Sequence, residues 1–270
     1  MAKKQAVAVQ KQYCIHGEEN CNRCAMNDVE APTIHLHLLI DVSTSMISCW
    51  SQTISGLNEY IDALRQDPNP YKLTITEFGL ENEVVDLYTD ADLDQVQKFD
   101  HVSFYPHGRG TALWSAVGLT LSKVQTGGPV LFVVITDGED NSSHQYGSDT
   151  VNTLIEERKK LGNYTFAYLG VAKEAWGQEA KVRAFAASSQ VMTQDAYGID
   201  TYKGLAACTR SYSATMTSNA SLGHAMHVNS LFDPNGGGLP VNGTAVDDDS
   251  IGLVHSTTTG GQPAGWQAGH

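Results

Sequence analysis

Three short segments of this 270-residue chain carry oxygen-bearing side chains at spacings that could do chemistry. The first is DVSTS at 41–45, where Asp41, Ser43 and Ser45 recur with period two. The second is GRGT at 108–111, ending on Thr111, and the third is TDGED at 136–140, carrying Asp137. Two carboxylates and three hydroxyls form an all-oxygen donor set, which suits a hard divalent cation such as Mg2+, with Mn2+ or Ca2+ as alternatives. If the carboxylates act through water, such an ion keeps much of its charge and can attract a carboxylate from another molecule. Each segment alone is also what an ordinary cap or Asx turn looks like. The weight comes from finding three of them in order.

A second cluster precedes these. The run YCIHGEENCNRCAMN holds Cys14, His16, Cys21 and Cys24, four soft ligands that could close around one tetrahedral Zn2+. The competing reading is a leader with reactive thiols. Four protein ligands leave no open position, so any zinc here would be structural. The remaining two of the five cysteines, Cys49 and Cys208, are isolated on expected helices and read as small apolar packers. This is a poor disulfide framework and fits a reducing compartment.

The oxygen-bearing segments need elements to hold them. TIHLHLLID (33–41) passes from alternation to an unbroken apolar run, as a strand does on entering a sheet covered on both faces. Residues 45–65 place Met46, Trp50, Ile54, Leu57, Ile61 and Leu64 three to four apart, the spacing of an amphipathic helix. YKLTITEF (71–78) and EVVDLY (83–88) flank GLEN and predict a hairpin with one antiparallel strand. A short helix is expected over 92–99 and another from Thr111 to 125. VLFVVITD (130–137) is the strongest strand signal and marks a central parallel strand. Helix 149–161, strand 164–170, helix 173–187, strand 190–193 and helix 198–214 complete the alternation. The expected fold class is therefore α/β: a doubly wound, mostly parallel sheet with one antiparallel edge strand and helices on both faces. The domain reading is a Cys/His leader at 1–31, an α/β domain at 32–216, and a Gly/Ser/Thr-rich tail at 217–270, flexible or docked on a partner. In such a sheet, ligands collect at the carboxyl ends of the strands, where Asp41 and Asp137 fall.

DVSTS, GRGTALWSAVG and VLFVVITDGEDNSS together resemble the metal-ion-dependent adhesion site (MIDAS) of von Willebrand factor type A (vWA) domains, over roughly residues 33–215. The family pattern is D-x-S-x-S, then a Thr, then an Asp before Gly, and all five positions are present. The resemblance implies that Ser43 and Ser45 ligate the ion directly and that Asp41 and Asp137 act mostly through water. It implies that Thr111 ligates directly in one state and through water in another, with an Asp or Glu from a protein partner completing the octahedron. Related vWA domains serve in adhesion, in virion or secretion assemblies, and beside AAA+ ATPases in metal insertion and complex remodelling.

The functional expectation is a metal-dependent protein-binding module and not an enzyme, with a component of a bacterial or phage assembly as one setting. The alternatives are a metal-dependent hydrolase and an AAA+ partner. A formal net charge of -13 disfavours nucleic-acid binding. No apolar run reaches the roughly 20 residues of a membrane helix, and the start, MAKKQAVAVQKQYC, lacks the apolar core of a signal peptide. The expected location is thus cytoplasmic, or a virion if the chain is phage-encoded. Asp140 is expected to cap or solvate its loop, beside Glu139. His101, His107 and His144 fall near the metal-bearing loops and could tune them. Oligomeric state is not legible.

Overall fold

The computed structural model describes residues 30–124, 127–138, 140–170, 189–193 and 199–222. The Cys14, His16, Cys21 and Cys24 cluster, Glu139, the helix expected at 173–187 and the chain beyond 222 lie outside the described residues.

Six strands form one sheet: β1 (Ile34–Asp41), β2 (Tyr71–Phe78), β3 (Val85–Asp92), β4 (Val130–Thr136), β5 (Tyr164–Gly170) and β6 (Ser189–Thr193). Their spatial order is β3-β2-β1-β4-β5-β6. All neighbours are parallel except β2 and β3, which form the expected antiparallel pair. The order reverses between β1 and β4, because the chain leaves β1 for β2 on one side and returns to β4 on the other. That reversal opens a crevice at the carboxyl ends of β1 and β4, the place where doubly wound sheets bind ligands.

Strand periodicity sorts the core into two layers. Leu36, Leu38 and Ile40 of β1, with Leu131, Val133 and Ile135 of β4, pack under α1 (Trp50–Leu64) and the last helix, α4 (Ile199–Leu222). Leu39, Phe132, Val134, Phe166 and Tyr168 project oppositely, under α2 (Leu113–Lys123) and α3 (Ser148–Lys160). Every residue of β4 is buried, as a strand covered on both faces requires. α1 and α4 meet so closely that a Cβ added to Gly56 would lie 2.0 Å from the Tyr202 ring. A hydrogen bond of 3.0 Å between the buried Tyr60 and Thr209 hydroxyls fastens the same pair. At the end of α3, Gly162 adopts φ 75° and its N–H returns to the Lys159 carbonyl, the left-handed stop that glycine permits.

Three elements differ from the sequence expectation. The helix expected over 92–99 is absent: β3 runs on to Asp92, and only a 3-10 turn, Leu93–Gln95, follows. The Gln97 and Phe99 N–H groups, which a helix would send to the Leu93 and Gln95 carbonyls, donate instead to the Tyr88 hydroxyl and to Asn58 Oδ1 (3.1 and 2.9 Å), while the Arg65 guanidinium also donates to the Leu93 and Val96 carbonyls (2.8 and 2.5 Å). The helix expected from 45 starts as a 3-10 turn, Thr44–Ser48, and becomes α-helical at Trp50. The last helix runs to Leu222 rather than 214. Met216 is buried on it, and the Thr217 hydroxyl reaches Asn69. Among the described residues no helix is long and apolar enough to cross a membrane.

Candidate metal centre

Asp41 is the last residue of β1, fully buried at the crevice. Its Oδ1 accepts from the Ser43 N–H at 2.7 Å, and its Oδ2 accepts from the Thr136 hydroxyl at 2.6 Å. These two bonds hold the carboxylate against rotation. Burial pushes its pKa up to about 6, against the hydrogen bonds from Thr136 and Ser43, which lower it. Burial likewise raises the Asp137 carboxyl, opposed by the bond from Ser45. Among the described residues neither carboxylate has an ion-pair partner, so their charge is held at a desolvation cost that a cation would offset.

The hydroxyls follow from the local backbone. Val42 is tied to the sheet through its N–H on the Phe78 carbonyl, and Ser43 remains extended before the 3-10 turn begins. Period two then sets Ser43 and Ser45 on one side, with their Oγ atoms 2.9 Å apart, and Ser45 Oγ donates to Asp137 Oδ1 at 2.8 Å. This chain joins the end of β1 to the loop after β4 without any intervening residue.

Thr111 arrives from a loop strapped onto the first. The His107 and Gly108 N–H groups both donate to the Val42 carbonyl, the Thr44 N–H donates to the Gly108 carbonyl, and Ser43 bridges Gly108 in parallel register. Gly108 must be glycine: a Cβ there would sit 2.9 Å from the Gly79 Cα. Thr111 exchanges backbone bonds with Asn141: its N–H donates to Asn141 Oδ1 and its carbonyl accepts from the Asn141 N–H, both at 2.9 Å. The N-cap position of α2 is Ala112, so Thr111 is not the cap. Its hydroxyl has no hydrogen-bond partner among the described residues, although the residue is only 2% exposed.

Gly138 shows that these groups converge. A Cβ built on it would lie 3.5 Å from Thr111 Oγ1, 3.9 Å from Asp41 Oδ2 and 3.9 Å from Ser45 Oγ. Two oxygens from the 41–45 segment and one from the loop before α2 thus face one small volume beside Gly138 of the third loop, with Ser43 and Asp137 hydrogen-bonded to its wall. The donor set contains only carboxylate and hydroxyl oxygen and fits a hard divalent cation. Among the described residues no group of three or more His, Cys, Asp or Glu side chains could hold a metal, so the hydroxyls are essential to any such site.

Residues beyond the five brace this arrangement, and of these only Asp140 is singled out from sequence. Thr136 orients Asp41, and its place as the polar end of an apolar strand was the available signal. Asn141 pairs with Thr111 across thirty positions, and nothing local announces it. Asp140 accepts from the Trp114 N–H at 3.2 Å and from the Ser143 hydroxyl, while Ser143 Oγ accepts from the Ser115 N–H at 2.9 Å. Asp140 therefore caps α2 from another loop, as expected of it in kind. Glu81 gathers the Ser115 hydroxyl and the His144 and Gln145 N–H groups on one oxygen. Those bonds, the Ser115 one foremost, lower its pKa to about 2. Arg109 is exposed.

No protein-family model matches the chain, and no curated protein matches it in sequence. Among solved structures, it is similar to proximal thread matrix protein 1 from the mussel byssus, described as having a zinc-occupied MIDAS motif. That similarity has 14% identity and a TM-score of 0.46 over 63% of this chain and 43% of that one. A von Willebrand factor type A structure from Catenulispora acidiphila is similar at 14% identity and a TM-score of 0.45, over 67% of this chain and 43% of that one. The chain thus matches less than half the length of either, and likeness of this degree says nothing about function or metal. What the strand order, the antiparallel edge and the meeting of the three loops show by themselves is a vWA-like α/β fold.

Proposed function

We propose that the chain is a metal-dependent protein-binding module of the adhesion or assembly kind, in which Asp41, Ser43, Ser45, Thr111 and Asp137 hold a divalent cation. The observation that carries the reading is the convergence of Asp41, Ser45 and Thr111 oxygens on the volume beside Gly138. When bound, the cation supplies an electrophilic position for an Asp or Glu carboxylate of a protein partner. The residues do the rest. Ser43, Ser45 and Thr111 offer neutral oxygen that leaves the cation's charge largely unspent. Asp41, locked by Ser43 and Thr136, and Asp137, held by Ser45, supply the negative charge that retains it. A binding role is favoured over turnover because the serine hydroxyls bond to each other and to Asp137, and among the described residues neither bonds to a histidine that could act as a base.

The test is titration with Mn2+, followed by its electron paramagnetic resonance signal, in wild type and Asp41→Ala. The expected result is about one site per chain in wild type, weakened at least about tenfold in the variant, a loss of about 1.4 kcal/mol or more, since one of the two charges that retain the cation is removed. Equal binding by both proteins overturns the proposal.

A further inference from the structure

A groove of about 390 Å³ opens beside the metal centre, lined by Glu77, Tyr88, Phe99, Phe104, Tyr105 and His107 among others. It adjoins the centre through Val42: His107 donates its N–H to the Val42 carbonyl, and Phe78, the residue after Glu77, accepts from the Val42 N–H. The walls are aromatic. Phe99 packs tilted on Phe104 at 5.1 Å, Tyr88 meets Phe99 edge-on at 6.1 Å, and Tyr105 meets His107 at 5.8 Å. Recessed among them is the Glu77 carboxylate, whose side chain is 13% exposed.

Glu77 is poorly matched within the chain. The one ion-pair candidate it has among the described residues is His107 Nε2, at 4.0 Å, which carries charge only when protonated. Burial raises the Glu77 pKa, and His107 opposes this. Lys98, also on the lining, is spoken for: its ammonium lies 2.8 Å from Asp62. The groove is therefore a recessed anion among π faces, and both features favour a cation. Tyr105 and Val102 stand exposed at 54% and 86% on the same loop, so the aromatic wall is open to solvent.

We propose that this groove is a second subsite, which takes a Lys or Arg side chain of the partner, with Glu77 as the counter-ion and the Tyr105, Phe104 and Phe99 rings as the apolar sheath for its stem. Charge complementarity selects this occupant: an acidic side chain would meet Glu77, and a neutral apolar one would leave the carboxylate dry and unpaired. The proposal rests on the metal-site reading only for where the partner's acidic residue goes. The two sites together would select a segment with an acid and a base close together.

The test separates the two. Nuclear magnetic resonance titrations use N-acetyl-arginine amide, N-acetyl-lysine amide and N-acetyl-norleucine amide as probes, in EDTA so that no metal takes part. The basic amides are expected to shift the ring signals of Phe99, Phe104 and Tyr105 and to bind at least about threefold tighter than norleucine amide. Glu77→Gln should remove that preference. Tyr105→Ala, a change at an exposed ring that leaves the core alone, should weaken the basic amides by about two- to fivefold. Equal affinity for norleucine and arginine amides, or a preference that survives Glu77→Gln, overturns the cation subsite. Neither result bears on Mn2+ binding, and a failure of the metal site leaves this titration unchanged.

Discussion

Thr111 is the residue at which a structural and a ligating role separate most cleanly. Its backbone is engaged by Asn141 on both sides, and its hydroxyl bonds to nothing among the described residues. Thr111→Val keeps the shape and both backbone bonds. We expect unfolding free energy to change by less than about 1 kcal/mol, since no hydrogen bond is lost, while Mn2+ affinity falls by about tenfold or more. Urea denaturation in EDTA beside a metal titration checks both halves, and a large loss of stability with unchanged metal affinity would assign Thr111 to the fold alone. His37 gives a pH prediction. It stacks on Phe132 with its Nδ1 buried and unbonded, and burial lowers its pKa to about 4, assisted by the charge of His35 and opposed by Asp90 and Asp86. The unfolded chain therefore binds a proton near pH 6.5 that the folded chain refuses until about 4. Stability from this group is full above pH 6.5 and is lost as pH falls through that window, by on the order of 3 kcal/mol. Because Asp41 titrates in the opposite sense over part of the same range, the measurement is the difference between wild type and His37→Leu at each pH. The variant should show the shallower acid loss.

At the scale of elements, close approach between helices and between loops sets the geometry. Gly56 lets α1 touch the Tyr202 ring of α4. Gly56→Ala should destabilise the chain by about 1–3 kcal/mol through overpacking. Gly127→Ala, where an added Cβ meets nothing within 4 Å, should change little. Thermal unfolding of the pair compares them, and similar midpoints would mean that α1 and α4 separate more easily than their contact suggests. α2 is capped from a distance, by Asp140 on the Trp114 N–H. Asp140→Ala should cost about 1 kcal/mol and loosen the junction that carries Thr111. Hydrogen exchange at the Trp114 and Ser115 amides should speed up, while that of β4 stays slow.

For the whole molecule, the fold and the cation are separable. The two apolar layers on either side of β1, β4 and β5 contain none of the five site residues. Removing metal should therefore leave the far-UV spectrum nearly intact while abolishing partner binding. Saturating metal should instead raise stability by mass action, by roughly 2.7 kcal/mol at one hundred times its dissociation constant. A melt with and without EDTA measures it, and a chain that unfolds when stripped of metal would contradict the separation.

The amino-acid sequence by itself determined the alternation of strands and helices, because buried strands and amphipathic helices write their periods directly into neighbouring residues. It also determined the three oxygen-bearing turns, since each is a local run at the end of an apolar strand or the start of a helix. The expected antiparallel pair of β2 and β3 was legible for the same reason, as two strand-like runs around a short polar turn. Tertiary structure decided the rest. Whether DVSTS, GRGT and TDG meet depends on the β1–β4 adjacency and on the loop strapped over Val42, contacts between residues far apart in the chain that no local pattern encodes. The helix missing after β3 has its amide donors, Gln97 and Phe99, taken by Tyr88 and Asn58 on other elements. Asn141 and Glu81 acquired their bracing roles only because folding placed them beside partners thirty or more positions away, where burial and hydrogen bonding, not spacing, set their chemistry.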